Sequence, residues 1–267
     1  MSAPVHEERR IVAGTRLRLW SAGTGPPLLY LHGANGAHWL PGHDLLAAHC
    51  RVLLPEHPGW GEDDLAGGLE ELADLVYFYL DLLDALDLAQ VHLVGHSLGG
   101  WLAAEIAVGQ AHRLWTLTLV DAAGLWLNEA PLPDLFALSP AEATRLATFN
   151  PAAAEAALAA AATPAAQAAQ QRARAAFARV AWNPYLHNPR LPTRLHRVRV
   201  PTLLLWGAAD RVIPPAYADA YARWLPDARV VLLPECGHSP PREQPTAFAR
   251  AVLEFLRQHA PAAGRLA

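Results

Sequence analysis

The sequence predicts an α/β fold: a mostly parallel central sheet flanked by helices, with one inserted helical cap. Three observations carry this reading. Short β-rich runs alternate with longer stretches of helical spacing. Several of the short runs are apolar nearly throughout, as strands covered on both faces of a parallel sheet must be. The alternation then stops over residues 125–195, where no strand pattern is found.

Taken in order, residues 16–20 (RLRLW), 27–31 (PLLYL), 51–55 (RVLLP) and 91–94 (VHLV) read as strands, as do 116–120 (TLTLV), 202–206 (TLLLW) and 229–233 (RVVLL). A tight Gly14-Thr15 turn joins the first two strands and predicts an antiparallel edge. Residues 69–86, 98–109, 216–225 and 246–259 have helical spacing and length. The interrupting segment is Ala-rich and punctuated by Pro131, Pro133, Pro140, Pro151, Pro164, Pro184 and Pro189. Within it, residues 151–171 read as a helix pair split at Pro164, although their low complexity also permits a disordered reading. Flanking aromatic residues (Trp126, Phe136, Phe149, Phe177, Trp182, Tyr185) favour the cap. The expected division is a core of residues 1–124 and 196–267 with a cap of residues 125–195.

Composition removes several chemistries. All 21 basic residues are Arg, and with 25 acidic residues the net charge is −4, so no basic field favours nucleic acid. Without Lys there is no lysine Schiff base, P-loop lysine or Ser–Lys dyad. A hydrophobic share of 52% against 17% charged suits a compact enzyme. A chain of this size buries roughly three quarters of its unfolded surface. Cys50 and Cys236 are too few for a disulfide scaffold, which points to a reducing compartment. The N-terminal MSAPVHEERRIVAG lacks an apolar stretch of signal-peptide length, and no run approaches about 18 bulky apolar residues. The expectation is a soluble, cytoplasmic protein acting on a small molecule, with no nucleic-acid or membrane partner. The sequence does not determine an oligomeric state.

Residues 91–100 read VHLVGHSLGG, placing Gly95-x-Ser97-x-Gly99 between a strand and a helix. Ser97 then occupies a sharp, strained turn that exposes its hydroxyl above the sheet, which requires small residues two before and two after it. The helix dipole and the Leu98 amide can stabilise a negatively charged oxygen there.

With these residues the chain resembles the α/β-hydrolase superfamily, in its cap-bearing carboxylesterase-like branch. Leu31-His32-Gly33-Ala34 resembles the family's oxyanion loop, which implies that the Ala34 amide is the second oxyanion donor. Residues 55–61 (PEHPGWG) resemble the loop after the next strand, with Glu56 where Asp is usual. Residues 205–210 (LWGAAD) resemble the acid loop, and Gly237-His238 the histidine loop. Serine needs a base to become nucleophilic, and that base needs a carboxylate to fix its tautomer. Ser97, Asp210 and His238 stand in the chain order this family uses. They are assigned as nucleophile, orienting acid and general base. Asp121, directly after the strand 116–120, is a second candidate for the acid. No cofactor or metal is implied.

His38, His43, His49 and His57 lack a metal-ligand pattern and read as surface or loop histidines. His32 reads as loop-shaping, Cys236 as a small buried neighbour, and Arg190, Arg194, Arg197 and Arg199 as a solvated strip. Trp39, Trp101, Trp126, Trp182 and Ile213 are the candidates for an apolar substrate cleft. The expected activity is hydrolysis of carboxylic esters through an acyl-enzyme. Alternatives on the same fold are a carbon–carbon bond hydrolase of ring-cleavage products, a cofactor-free perhydrolase and a ligand-binding receptor. Ring-cleavage hydrolases carry Asn before the nucleophile and Trp after the histidine, where this chain has His96 and Ser239.

Overall fold

A computed structural model describes residues 3–62, 70–260 and 262. Its eight strands are β1 (His6–Val12), β2 (Thr15–Ala22), β3 (Pro27–Leu31), β4 (Arg51–Pro55), β5 (Val91–His96), β6 (Leu114–Val120), β7 (Thr202–Gly207) and β8 (Ala228–Leu233). They form one sheet in the order β1-β2-β4-β3-β5-β6-β7-β8. β1 and β2 pair antiparallel, as do β2 and β4; every other pairing is parallel. The helices are α1 (Pro41–Ala47), α2 (Leu72–Ala85), α3 (Leu98–Gln110), α4 (Pro140–Ala147), α5 (Pro151–Ala160), α6 (Pro164–Ala181), α7 (Ala216–Trp224), α8 (Pro240–Glu243) and α9 (Pro245–His259).

The predicted strands and the antiparallel edge are present, with two corrections. The hairpin turn is Ala13-Gly14, one residue earlier than expected, with φ of 47° and 80°. Positive φ at both central residues gives the primed turn whose twist matches the paired strands. The partner strand β1 has the sequence HEERRIV, largely exposed, so no apolar alternation announces it. Of the helices, α1, α4 and α8 were not expected, since four to eight residues are too few to display a period. The expected helix start at residue 69 lies outside the described residues.

Successive residues of each parallel strand face opposite sides and enter different cores. On β7, Leu204 and Trp206 join the core under α2, α3 and α7, whereas Leu203 and Leu205 join that under α1 and α9. β3 divides likewise, Leu29 and Leu31 against Leu28 and Tyr30. The helix α9 presents one matching stripe, Phe248, Val252, Phe255 and Leu256.

Between β6 and β7 lie α4, α5 and α6, each started by a side-chain cap followed by proline. Ser139 accepts from the Glu142 amide, Asn150 from Ala152 and Ala153, and Thr163 from Ala166. Pro140, Pro151 and Pro164 therefore sit where a missing N–H costs nothing. Pro164 separates two helices, as the sequence predicts. Among the described residues, no helix is long and apolar enough to cross a membrane.

Candidate active site

The parallel strands deliver their C-terminal ends to one edge of the sheet, where open α/β sheets bind ligands. Ser97 follows β5 immediately and adopts φ 55°, ψ −117°, a strained conformation for a residue with a side chain. The two flanking glycines explain how the chain reaches it. A Cβ on Gly95 would lie 2.2 Å from the Gly99 carbonyl oxygen, and one on Gly99 2.2 Å from that of Leu31. Both contacts are with backbone and cannot yield. Gly99→Ala is therefore expected to destabilise the fold by about 1–3 kcal/mol or more, lowering Tm by several degrees. An unchanged melting curve would contradict this reading of the turn.

Ser97, Asp210 and His238 converge although 141 residues separate the serine from the histidine. His238 Nδ1 donates to Asp210 Oδ2 at 2.7 Å, leaving Nε2 to accept from Ser97 Oγ at 2.9 Å. Asp210 Oδ1 accepts from the amides of Val212 at 2.8 Å and Ile213 at 3.0 Å. Its carboxylate thus has three N–H donors and is held rigidly. All three residues are nearly inaccessible: 9%, 4% and 8% exposed for Ser97, Asp210 and His238. Asp121, the other candidate acid, instead accepts the Gly207 amide at 2.8 Å.

The loop after β3 lies beside Ser97, with a Cβ at Gly33 falling 3.2 Å from that of Ser97. The Ala34 carbonyl accepts from Trp60 Nε1 at 2.8 Å, which fixes that peptide. Leu98 is the first residue of α3, so its amide has no intrahelical acceptor.

Behind this loop is a histidine pair that the sequence reading did not anticipate. His57, read as a surface or loop histidine, does lie in a loop but is only 1% exposed. Its amide donates to His32 Nε2 at 2.8 Å, and its own Nε2 donates to the His32 carbonyl at 2.8 Å. These bonds assign the tautomers. His32 carries its proton on Nδ1, donated to the Gly33 carbonyl at 2.7 Å, and His57 Nδ1 accepts from the Tyr79 hydroxyl. The rings lie 3.6 Å apart at a tilt of 32°, and Trp60 packs edge-on to both. His43, also read as a surface or loop histidine, lies in α1, is 1% exposed and accepts from the Leu40 amide. Partners far along the chain decide such burial, so the local sequence carries no signal of it. Glu56 forms a two-pronged pair with Arg18, at 2.8 and 2.9 Å.

His96, the residue before the serine, donates Nε2–H to the His238 carbonyl at 2.6 Å and latches the histidine loop to the turn. Its place in Gly-x-Ser was the available signal. The same loop is held from above: the His238 amide donates to the Ala147 carbonyl at the end of α4, at 2.7 Å. Glu243 accepts from the Phe149 amide at 2.7 Å.

Burial holds His57 down to about 4 and His43 and His96 down to about 3, with the His238 charge adding to the effect at His96. Their folded values are depressed, so the stability they support is present above the ordinary histidine value and lost as pH falls toward the folded values. The unfolded chain takes up protons near pH 6.5 and the folded chain does not. Each imidazole contributes on the order of a few kcal/mol to this loss. Tm is expected to drop steeply between pH 6.5 and 4; a flat Tm over that range would contradict the neutral network.

One nitrogen or oxygen from each of His96, Asp121 and His238 lies within 4.8 Å of the others. A metal there would have to break the His96 bond to the histidine loop or the Asp210–His238–Ser97 line, so the donors present suit proton transfer better than coordination.

The five cleft candidates are placed as follows. Trp101 is 4% exposed, donates to Glu105 and packs at Gly124; Ile213 is 1% exposed beside Asp210. Trp39 is half-buried on Asp44 and His43. Trp126, 39% exposed, lies tilted against His187 at 5.5 Å, and Trp182, 60% exposed, meets Phe136 at 5.1 Å. Cys236 is buried and free, and Arg190, Arg194, Arg197 and Arg199 are exposed.

Residues 28–251 match the model of the alpha/beta hydrolase family. The dihydrolipoyllysine-residue acetyltransferase component of the acetoin cleaving system of Pseudomonas putida is 33% identical over 93% of this chain and 68% of its own. The 2-hydroxy-6-oxononadienedioate/2-hydroxy-6-oxononatrienedioate hydrolase of Cupriavidus pinatubonensis is 29% identical over 79% and 78%. In fold, the crystal structure of a membrane phospholipase A superposes with a TM-score of 0.81 at 23% identity, covering 95% of this chain and 86% of that one.

Proposed function

The chain belongs to the alpha/beta hydrolase family, and from that premise we propose that it hydrolyses carboxylic esters of small, fairly apolar substrates through an acyl-enzyme. The observation that carries this reading is the unbroken line from Asp210 through His238 to Ser97, with bonds of 2.7 and 2.9 Å.

On this reading Ser97 Oγ attacks the ester carbonyl as its proton passes to His238 Nε2. Asp210 keeps the imidazole in the tautomer that can accept and stabilises the imidazolium. The carbonyl oxygen becomes an oxyanion held by the Ala34 and Leu98 amides, with the positive end of α3 behind it. Collapse expels the alcohol, which takes the proton from His238, leaving Ser97 acylated. Water then enters, gives a proton to His238 and attacks the acyl carbonyl, and Ser97 recovers its proton as the acid departs.

The clamp of His32, His57, Tyr79 and Trp60 supports a role for Ala34, because it fixes the peptides on either side of that amide before substrate arrives. Residues 125–195 act as the cap, and the seat of α4 on the His238 loop supports that role. Trp126 and Trp182 stand near the joins of this segment, where they set acyl-length preference.

The second reading is hydrolysis of a carbon–carbon bond in a dienoate, which the Cupriavidus relative's name favours. His96 and Ser239 stand where that group carries Asn and Trp, which favours the ester. The test is turnover of nitrophenyl esters of increasing acyl length beside a ring-cleavage dienoate, without metal or cofactor. Ester turnover well above that of the dienoate is expected. Dienoate cleavage with inert esters would replace the first reading by the second.

A further inference from the structure

Asp121 stands one residue beyond β6, with φ 45° and no solvent exposure. Its amide donates to the Leu205 carbonyl and its Oδ1 accepts the Gly207 amide at 2.8 Å. Among the described residues Oδ2 is buried with no hydrogen-bond partner, yet a carboxylate oxygen of Asp121 lies within 4.8 Å of a ring nitrogen of His238, the imidazole that contacts Asp210 at 2.7 Å, so the two carboxylates crowd one side chain. Two ionised carboxylates would repel each other there and leave the oxygen without a donor, in a site closed to water.

The groups that face Asp121 come from several elements: Tyr30 on β3, His96 at the end of β5, Asp210 after β7, Cys236 and His238 after β8, and Glu243 on α8. One proton on the carboxyl pair resolves the conflict, and the count of donors says where it resides. Asp210 receives three N–H bonds, from Val212, Ile213 and His238, whereas Asp121 receives one. The carboxyl with fewer donors keeps the proton, on the oxygen that has none.

Resting on the triad reading above, we propose that Asp121 is a neutral carboxylic acid whose Oδ2–H is donated to the Asp210 carboxylate, positioning the triad acid without competing with it for His238. Burial, with the Asp210 charge second, lifts Asp121 well above the usual carboxylate range, which agrees with the geometry. At neutral pH the buried pair then carries one negative charge, and Asp210 gains a fourth donor. At alkaline pH Asp121 ionises, its hydrogen bond turns into a repulsion, and turnover falls.

The sign for stability follows from the raised folded value. Below the ordinary Asp value, about 4, folded and unfolded chains both hold the proton. Above it only the folded chain does, so the stability contribution is lost as pH climbs toward the folded value. Asp121→Asn has no such proton, keeps a carbonyl for the Gly207 amide, and places an NH2 where the O–H stood.

Asp121→Ala is expected to lower kcat roughly tenfold with little change in KM, and Asp121→Asn to recover most of it without the alkaline fall. Relative to wild type, the Tm of Asp121→Asn should rise progressively between pH 5 and 8. An Asn variant no more active than the Ala variant, or a Tm difference independent of pH, would overturn the proposal. Carbon-13 NMR of aspartate-labelled wild-type protein needs no variant to fold: one carboxyl should remain protonated at pH 8, and ionisation of all of them would refute it. The melting and NMR results report the proton, so they stand apart from any failure of the ester reading itself.

Discussion

Replacing Ser97 by alanine is expected to lower kcat toward a nitrophenyl ester by at least roughly 10³-fold, and toward 10⁶-fold if nothing else substitutes as nucleophile. Alanine removes one oxygen from a residue only 9% exposed and leaves the backbone turn, both candidate oxyanion amides and the Asp210–His238 bond in place. What remains is binding and oxyanion stabilisation, which elsewhere retains a residual acceleration over water. Any burst of nitrophenol equal to the enzyme concentration should disappear, since no acyl-enzyme can form. Thermal melts serve as the folding control. Near-wild-type turnover in a folded variant would move the chemistry to another residue and sink the serine mechanism.

The sequence and the structure agree best where a residue's environment is set by its near neighbours. The strands β5, β6 and β7 are apolar nearly throughout and each leads into a glycine or acid motif, so strand, register and catalytic loop are read together. The edge strand β1 has one buried residue, Val12, and nothing in HEERRIV reflects the partner that makes it a strand. Helix α4 is short and buries no residue, and its local marks are the Ser139–Glu142 capping box and the Pro140 that follows the cap. In the site, Ser97, Asp210 and His238 stand in short family-like motifs and were legible as candidates. The clamp behind Ala34 was not. His57 meets Tyr79 across 22 residues and His32 across 25, and a histidine bonded at both nitrogens is indistinguishable in sequence from one in solvent. The shared proton of Asp121 and Asp210 is less legible still, because it depends on counting donors supplied by three different loops.

Replacing Asp210 by asparagine is expected to lower kcat by roughly 10³- to 10⁴-fold while the protein still folds. The side-chain amide is nearly isosteric, and its oxygen can continue to accept from the amides of Val212 and Ile213. The other atom, opposite His238 Nδ1, becomes an N–H donor. The imidazole must then present a lone pair at Nδ1 and carry its proton on Nε2, the nitrogen that should accept from Ser97. Two effects therefore add: the wrong tautomer in the ground state, and no counter-charge for the imidazolium that forms during attack. KM should change little, since Asp210 lies behind His238 and is 4% exposed. Asp121 stands close enough to raise the question of substitution, but its Oδ1 is committed to Gly207 and, while it stays protonated, it offers His238 no free carboxylate. Raising the pH would ionise Asp121 and allow partial recovery in Asp210→Asn, a recovery that Asp121→Asn/Asp210→Asn should lack. A folded Asp210→Asn enzyme with near-wild-type kcat at neutral pH would show that the acid is elsewhere, with Asp121 first in line.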